Sequence, residues 1–210
     1  MRSMSNFCAA AVIAAAGLWP CAAWSQTDIT LEEGEPFASV LGNIATGDVT
    51  VTFVEDNTDA DDEAVWEVPM AISIKHEIVF RGTSELPTDL VLQNVGGGAM
   101  FDIQDDGSLT IESLALTGGD TLATLSASSA SLTVDRGYVA DMQANGVEVG
   151  VNGGDVVIAN SVFTGCVQAG LRLEAGSADI IQSTFIKNPG PPLIADGGVV
   201  NAVGCLFHEN

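Results

Sequence analysis

Four charged residues in the second half of the chain, Glu148, Arg172, Glu174 and Asp196, recur at a spacing that could gather them into one site, and Asp102 stands upstream in a similar setting. Three of the five sit in the middle of a short apolar alternation: Phe101-Asp102-Ile103, Val147-Glu148-Val149 and Leu171-Arg172-Leu173, with Leu193-Ile194-Ala195 as a later copy. In an extended strand such a residue points away from its apolar neighbours. If the strands stack, Glu148 and Arg172 occupy adjacent layers roughly 4.8 Å apart. Glu174 and Asp196 fall in the same neighbourhood, and Asp102 falls in the same column several layers away. Carboxylates around one guanidinium can form a shallow site for a cation or a sugar. They can equally close a cross-layer salt bridge on a solvated face, contributing about 0–1 kcal/mol. The pair Lys187 and Glu209 is open to the same salt-bridge reading.

A second acidic group lies in EDNTDADDEAVWE, Glu55 to Glu67, where Asp59, Asp61 and Glu63 alternate like the ligands of a Ca²⁺ loop. The glycine that such a loop needs at its sharp turn is missing, so a solvated acidic loop competes with the metal reading. His76 and His208 have no ligand partner at helical or short-loop spacing and are assigned to surface or turn positions.

The elements that must position these residues follow from a repeat. Taking Leu116, Val139, Phe163, Phe185 and Phe207 as anchors, the intervals are 23, 24, 22 and 22. Five residues before each anchor stand Ile111, Val134, Ile158, Ile180 and Ala202, and seven before stand Leu109, Leu132, Val156, Ala178 and Val200. Each period therefore holds two or three short alternating pieces joined by Gly, Asn, Asp and Ser. They are too short and too β-branched for helical repeats, and the period is about half that of a propeller blade. The remaining solution is an all-β parallel β-helix of about seven coils, one period per coil, with equivalent apolar residues stacked inside. One coil cannot bury its own apolar face, so neighbours are obligatory. Each buried Val, Ile or Phe then contributes on the order of 1.5–3 kcal/mol.

The stretch NGVEVGVNGGDVVIANSVFTGC resembles the single-stranded right-handed parallel β-helix repeat of the pectin-lyase-like superfamily. FASVLGNIATGDVTVTF and ISIKHEIVFRG resemble the opening helix, turn and first coils of such chains. The likeness covers about residues 37–210. It implies fold more strongly than activity, because this architecture hosts lyases, hydrolases, epimerases, adhesins and inert scaffolds. It also implies what an active member would carry: acidic Ca²⁺ ligands with an Arg or Lys base, or clustered aspartates. The outward columns before the anchor, Thr110, Thr133, Val157, Asp179 and Asn201, and Ala115, Tyr138, Val162, Thr184 and Leu206, hold neither set.

The ends read differently. Arg2, the apolar run Phe7 to Leu18 and Ala23-Trp24-Ser25 compose a secretory signal over residues 1–25, too short to span a bilayer. An exported protein, periplasmic, cell-surface or extracellular, follows from it. Residues 26–47 are expected to cap the first coil, with Phe37, Val40, Leu41 and Ile44 on one face of a short helix. The β-helix proper spans 48–210 and stops inside a coil, so a longer protein or end-on self-association is expected. Asn188 and Asn210, three residues after their anchors, suit inward-turned side chains that satisfy backbone groups at a corner. Cys166 and Cys205 lie two coils apart, at least about 9 Å by stacking, beyond the roughly 7 Å limit for a disulfide. Two free, buried thiols are expected.

With 28 acidic against six basic residues the formal charge is −22. This excludes nucleic acid as a partner and disfavours polyanionic glycans unless Ca²⁺ bridges the two. No second apolar stretch can span a membrane. Two functions remain: a secreted non-enzymatic β-solenoid serving as a surface or adhesin-like scaffold, or a polysaccharide-active or glycan-binding protein with no resident cofactor apart from potential Ca²⁺.

Overall fold

The computed structural model describes residues 26–55 and 63–210. The signal reading of residues 1–25, together with Asp59 and Asp61, lies outside these. Among the described residues, 21 strands form three sheets in which every pairing is parallel. From Val49 to Ala195 six successive coils visit the three sheets in turn; Thr27–Glu32 precedes them in the first sheet, and Val199–Val203 and Leu206–His208 follow in the first and second. The first sheet has eight strands, from Thr27–Glu32 to Val199–Val203; the second has seven, from Ala64–Val68 to Leu206–His208; the third has six, from Ile72–Ile74 to Leu193–Ala195. No helix among the described residues is long and apolar enough to cross a membrane.

The anchor register is as expected. Leu116, Val139, Phe163, Phe185 and Phe207 are consecutive partners in the second sheet. Ile111, Val134, Ile158, Ile180 and Ala202 are consecutive partners in the first. Inward alternation puts these side chains, apart from Ala202 and Phe207, in one continuous core, with ring centroids of Phe163 and Phe185 5.0 Å apart and those of Phe185 and Phe207 5.5 Å apart. In the strands Val199–Val203 and Leu206–His208, Val199, Val203, Leu206 and Phe207 are exposed.

About seven coils were expected, and the eight strands of the first sheet give about eight turns. The additional strand is Thr27–Glu32, inside the segment assigned to the cap, where it pairs along its whole length with Val49–Val54. The cap itself is a 3₁₀ turn at Phe37–Ser39 followed by a single α-turn at Leu41–Ile44. Phe37, Val40 and Ile44 are buried, and the Phe37 ring stacks on Phe53 and meets Phe80 edge-on. Leu41 is only partly buried, which a one-turn helix allows.

Corners are tight. Between the first and second sheets a single residue with positive φ turns the chain in successive coils: Ser113, Arg136, Asn160 and Gln182. Each keeps its N–H in the inter-coil ladder, as in Arg136 to the Ala159 carbonyl at 3.1 Å. Inside the corner, Ser161 Oγ accepts from the Gly137 N–H, and Ser183 Oγ from the Ser161 N–H. After the second sheet, Asn188 Oδ1 accepts from the Cys166 N–H at 2.9 Å, and Asn210 repeats the role for Asn188. The expected asparagine ladder is present. Both cysteines are free, Cys166 buried and Cys205 only half-buried rather than buried as expected. Lys187 does not meet Glu209; Glu209 Oε1 lies 3.3 Å from His208 Nε2 instead.

Candidate functional site

The outer face of the third sheet carries the predicted column. Inward positions here are filled by Phe101, Ile103, Ala123, Leu125, Val147, Val149, Leu171 and Leu173, all buried. The residues between them must therefore point out. Asp102 pairs with Thr124, Thr124 with Glu148, Glu148 with Arg172 and Arg172 with Ile194. Asp102 thus stands two coils from Glu148 rather than several, and the intervening strand Thr121–Leu125 was not legible as one.

The polar groups are cross-linked. Thr124 Oγ1 donates to Asp102 Oδ1 at 3.2 Å, and Gln104 Nε2 donates to the other carboxylate oxygen. Asn145 Nδ2 donates to Glu148 Oε2 at 3.0 Å. Arg172 does not turn to Glu148, its register neighbour. Its Nη2 lies 3.0 Å from Glu174 Oε1 and 3.5 Å from Asp196 Oδ2. All five sequence-predicted residues are thus on one face, with Arg172, Glu174 and Asp196 in direct contact and Glu148 and Asp102 held by separate amide donors. The Arg172 side chain is 35% exposed and Asp196 60%, so these ion pairs contribute no more than about 1 kcal/mol each. Their effect is orientation: two acids pin one end of the guanidinium.

Two polar atoms in this region have no hydrogen-bond partner although both are buried: Arg172 Nε and Asn145 Oδ1. One is a donor and the other an acceptor, and each costs about 1–3 kcal/mol if left dry. Ordered water is the usual solution for such buried atoms.

A Ca²⁺ ion fits this face poorly. Glu174 and Asp196 are already committed to Arg172, and no group of three or more His, Cys, Asp or Glu side chains converges among the described residues. Of the acidic-loop candidates only Glu63 is described; it is exposed, just before strand Ala64–Val68 of the second sheet.

Three parallel sheets, one strand per coil, single-residue corners and stacked inward ladders decide the architecture. The chain is a parallel β-helix. No protein-family model matches the sequence, and no curated protein matches it. Among solved structures the chain is similar to that of a PL6 family alginate lyase, AlyGC, with 9% identity and a TM-score of 0.49. That match covers 87% of this chain and 40% of the other, so this β-helix spans less than half the length of that structure.

Proposed function

We propose that this protein is an exported β-helix that binds glycan chains along the outer face of its third sheet without turning them over. The observation that carries this reading is the unbroken polar column Asp102, Thr124, Glu148 and Arg172, one residue per coil over four successive coils. Coils repeat at roughly 4.8 Å, close to the length of one pyranose unit, so a linear glycan laid across the strands would meet one side chain per sugar. Carboxylates accept from hydroxyls, and the free edge of the Arg172 fork donates to hydroxyl or ring oxygens. The acidic surroundings favour uncharged or amino-bearing glycans over polyanions.

Binding without turnover is favoured because the sole cation of the column is a guanidinium already engaged by two acids. The test is binding of the whole chain to neutral, amino-bearing and acidic polysaccharides, with and without Ca²⁺, alongside an assay for new chain ends. Arg172→Ala is expected to weaken binding about tenfold or more, in line with a charged hydrogen bond of roughly 1.5–3 kcal/mol. New chain ends that vanish in Glu148→Ala or Glu174→Ala would replace the reading with a lyase or hydrolase. Retention by no glycan at all would remove it.

A further inference from the structure

The second sheet, on a different side of the coils, carries a groove of about 170 Å³ that no part of the third-sheet column touches. Its floor is one register column: Val65, Val91 and Ala115, followed by Tyr138. These positions lie on the outer face, yet Val91 and Ala115 are 7% and 2% exposed. Ala115 is the smallest side chain of the column, and it sits directly before the ring of Tyr138, so the column has a notch with an aromatic wall. The opposite wall comes from outside the repeat. The segment Ser84–Asp89 ends in a 3₁₀ turn at Pro87–Asp89, is braced by the Ser84 hydroxyl on the Asp89 carboxylate and packs beside strands Leu90–Asn94 and Ala115–Thr117. It brings Thr88 to the groove. Gln93 and Thr117, register partners in adjacent coils, add an amide and a hydroxyl along one side, and Glu63 supplies the one charged group of the lining among the described residues.

We infer that this groove is a seat for one uncharged or amino-bearing sugar ring, separate from the third-sheet face. The volume matches a single six-membered ring, given that a cavity of about 150 Å³ accepts benzene. A pyranose has apolar C–H faces and a polar perimeter. The notch offers the complement: an aromatic ring with Val and Ala methyl groups for the faces, and Gln93, Thr117 and Thr88 for the perimeter. A lone carboxylate and a chain charge of −22 repel uronates and phosphates and attract an ammonium group. A flat apolar ligand would leave the amide and hydroxyls unpaired, and a charged anion would face Glu63.

Tyr138 is the one tyrosine of the chain, so its ring is a unique reporter. The experiment titrates tyrosine-labelled whole protein with methyl glycosides of neutral hexoses, with glucosamine and with galacturonate, following the Tyr138 ring by NMR. Saturable ring shifts are expected with at least one neutral glycoside or with glucosamine, and none with galacturonate at the same concentration. Ala115→Leu fills the notch and is expected to abolish the shifts. Gln93→Ala, at an exposed position that leaves the core untouched, is expected to weaken them severalfold. Arg172→Ala is expected to leave them unchanged, which separates this groove from the third-sheet face. Absence of a saturable shift with every sugar, equal shifts with galacturonate, or affinity unchanged in both Ala115→Leu and Gln93→Ala would overturn the inference.

Discussion

Asn188 is the residue whose loss best tests how the coils are held at their corners. It is 1% exposed. Its Oδ1 accepts from the Cys166 N–H at 2.9 Å, and its Nδ2 donates to the Phe163 carbonyl at 3.2 Å and to Asn210 Oδ1 at 2.8 Å. Asn188→Ala removes both functions and orphans one backbone donor and one backbone acceptor beside the phenylalanine stack. At about 1–3 kcal/mol for each unsatisfied buried group, the expected loss is about 2–6 kcal/mol. Asn210→Ala is the comparison. Asn210 makes the same bonds one coil later but is exposed, so water replaces it and the expected loss is about 0.5–1.5 kcal/mol. A solenoid can unfold coil by coil, so the decisive assay is amide hydrogen exchange at Cys166 under native conditions, with urea unfolding in parallel. With about 1.4 kcal/mol per tenfold, exchange at Cys166 should accelerate at least about tenfold in Asn188→Ala. Equal, small effects of the two substitutions, or unchanged exchange at Cys166, would refute the view that the inward asparagines hold the corners.

Two further outcomes follow from the core. Burial, reinforced by the nearby Asp141 carboxylate and opposed by the Met142 backbone hydrogen bond, pushes the Cys166 thiol from 9.0 up to about 12. Above pH 9 the unfolded chain releases this proton while the folded chain retains it, so the folded state loses about 1.4 kcal/mol per pH unit up to the folded value. The stability gap between the wild type and Cys166→Ala should therefore narrow as pH rises past 9 in paired urea titrations; a constant gap would contradict the buried neutral thiol. A Cβ at Gly146 would stand 2.3 Å from the Gly170 carbonyl oxygen and 2.8 Å from the Phe163 ring. Gly146→Ala should cost about 1–3 kcal/mol by overpacking, whereas Gly42→Ala, in the cap helix with nothing within 4 Å of its new Cβ, should be neutral or stabilising by up to about 1 kcal/mol.

The inward columns were legible because packing leaves them little choice. A residue at Phe163 or Ile158 touches its equivalents above and below, so it must repeat in type and spacing, and the register follows from the spacing alone. Elements without that repetition were missed. Thr121-Leu122-Ala123-Thr124-Leu125 is flanked by Gly-Gly-Asp and Ser-Ala-Ser-Ser, which read as loop. It is a strand because the coils of Phe101 and Val147 offer it hydrogen bonds on both edges. Thr27–Glu32 was folded into the cap for a similar reason: its partner Val49–Val54, rather than its own pattern, makes it a coil.

Outer columns obey a weaker rule, and this is why the candidate sites were only half visible. Register placed Asp102, Glu148 and Arg172 in one line, since it is inherited from their inward neighbours. It did not say which partner each would take. Asn145 reaches Glu148 across Gly146, a residue pressed against Phe163, and so occupies the carboxylate that Arg172 would otherwise meet. Arg172 then takes Glu174 from its own strand and Asp196 from the next coil. The groove at Tyr138 was further from view. Tyr138 and Ala115 stood in a column with no acidic pair, and the wall that turns their notch into a groove, Ser84–Asp89, belongs to no repeat. The proposed sugar seat lies where the repeat is broken: a small residue beside an aromatic one, and a segment that leaves its coil and packs beside the next strand. Such departures are free of core packing, so a function in recognition is the physical reason to look there first.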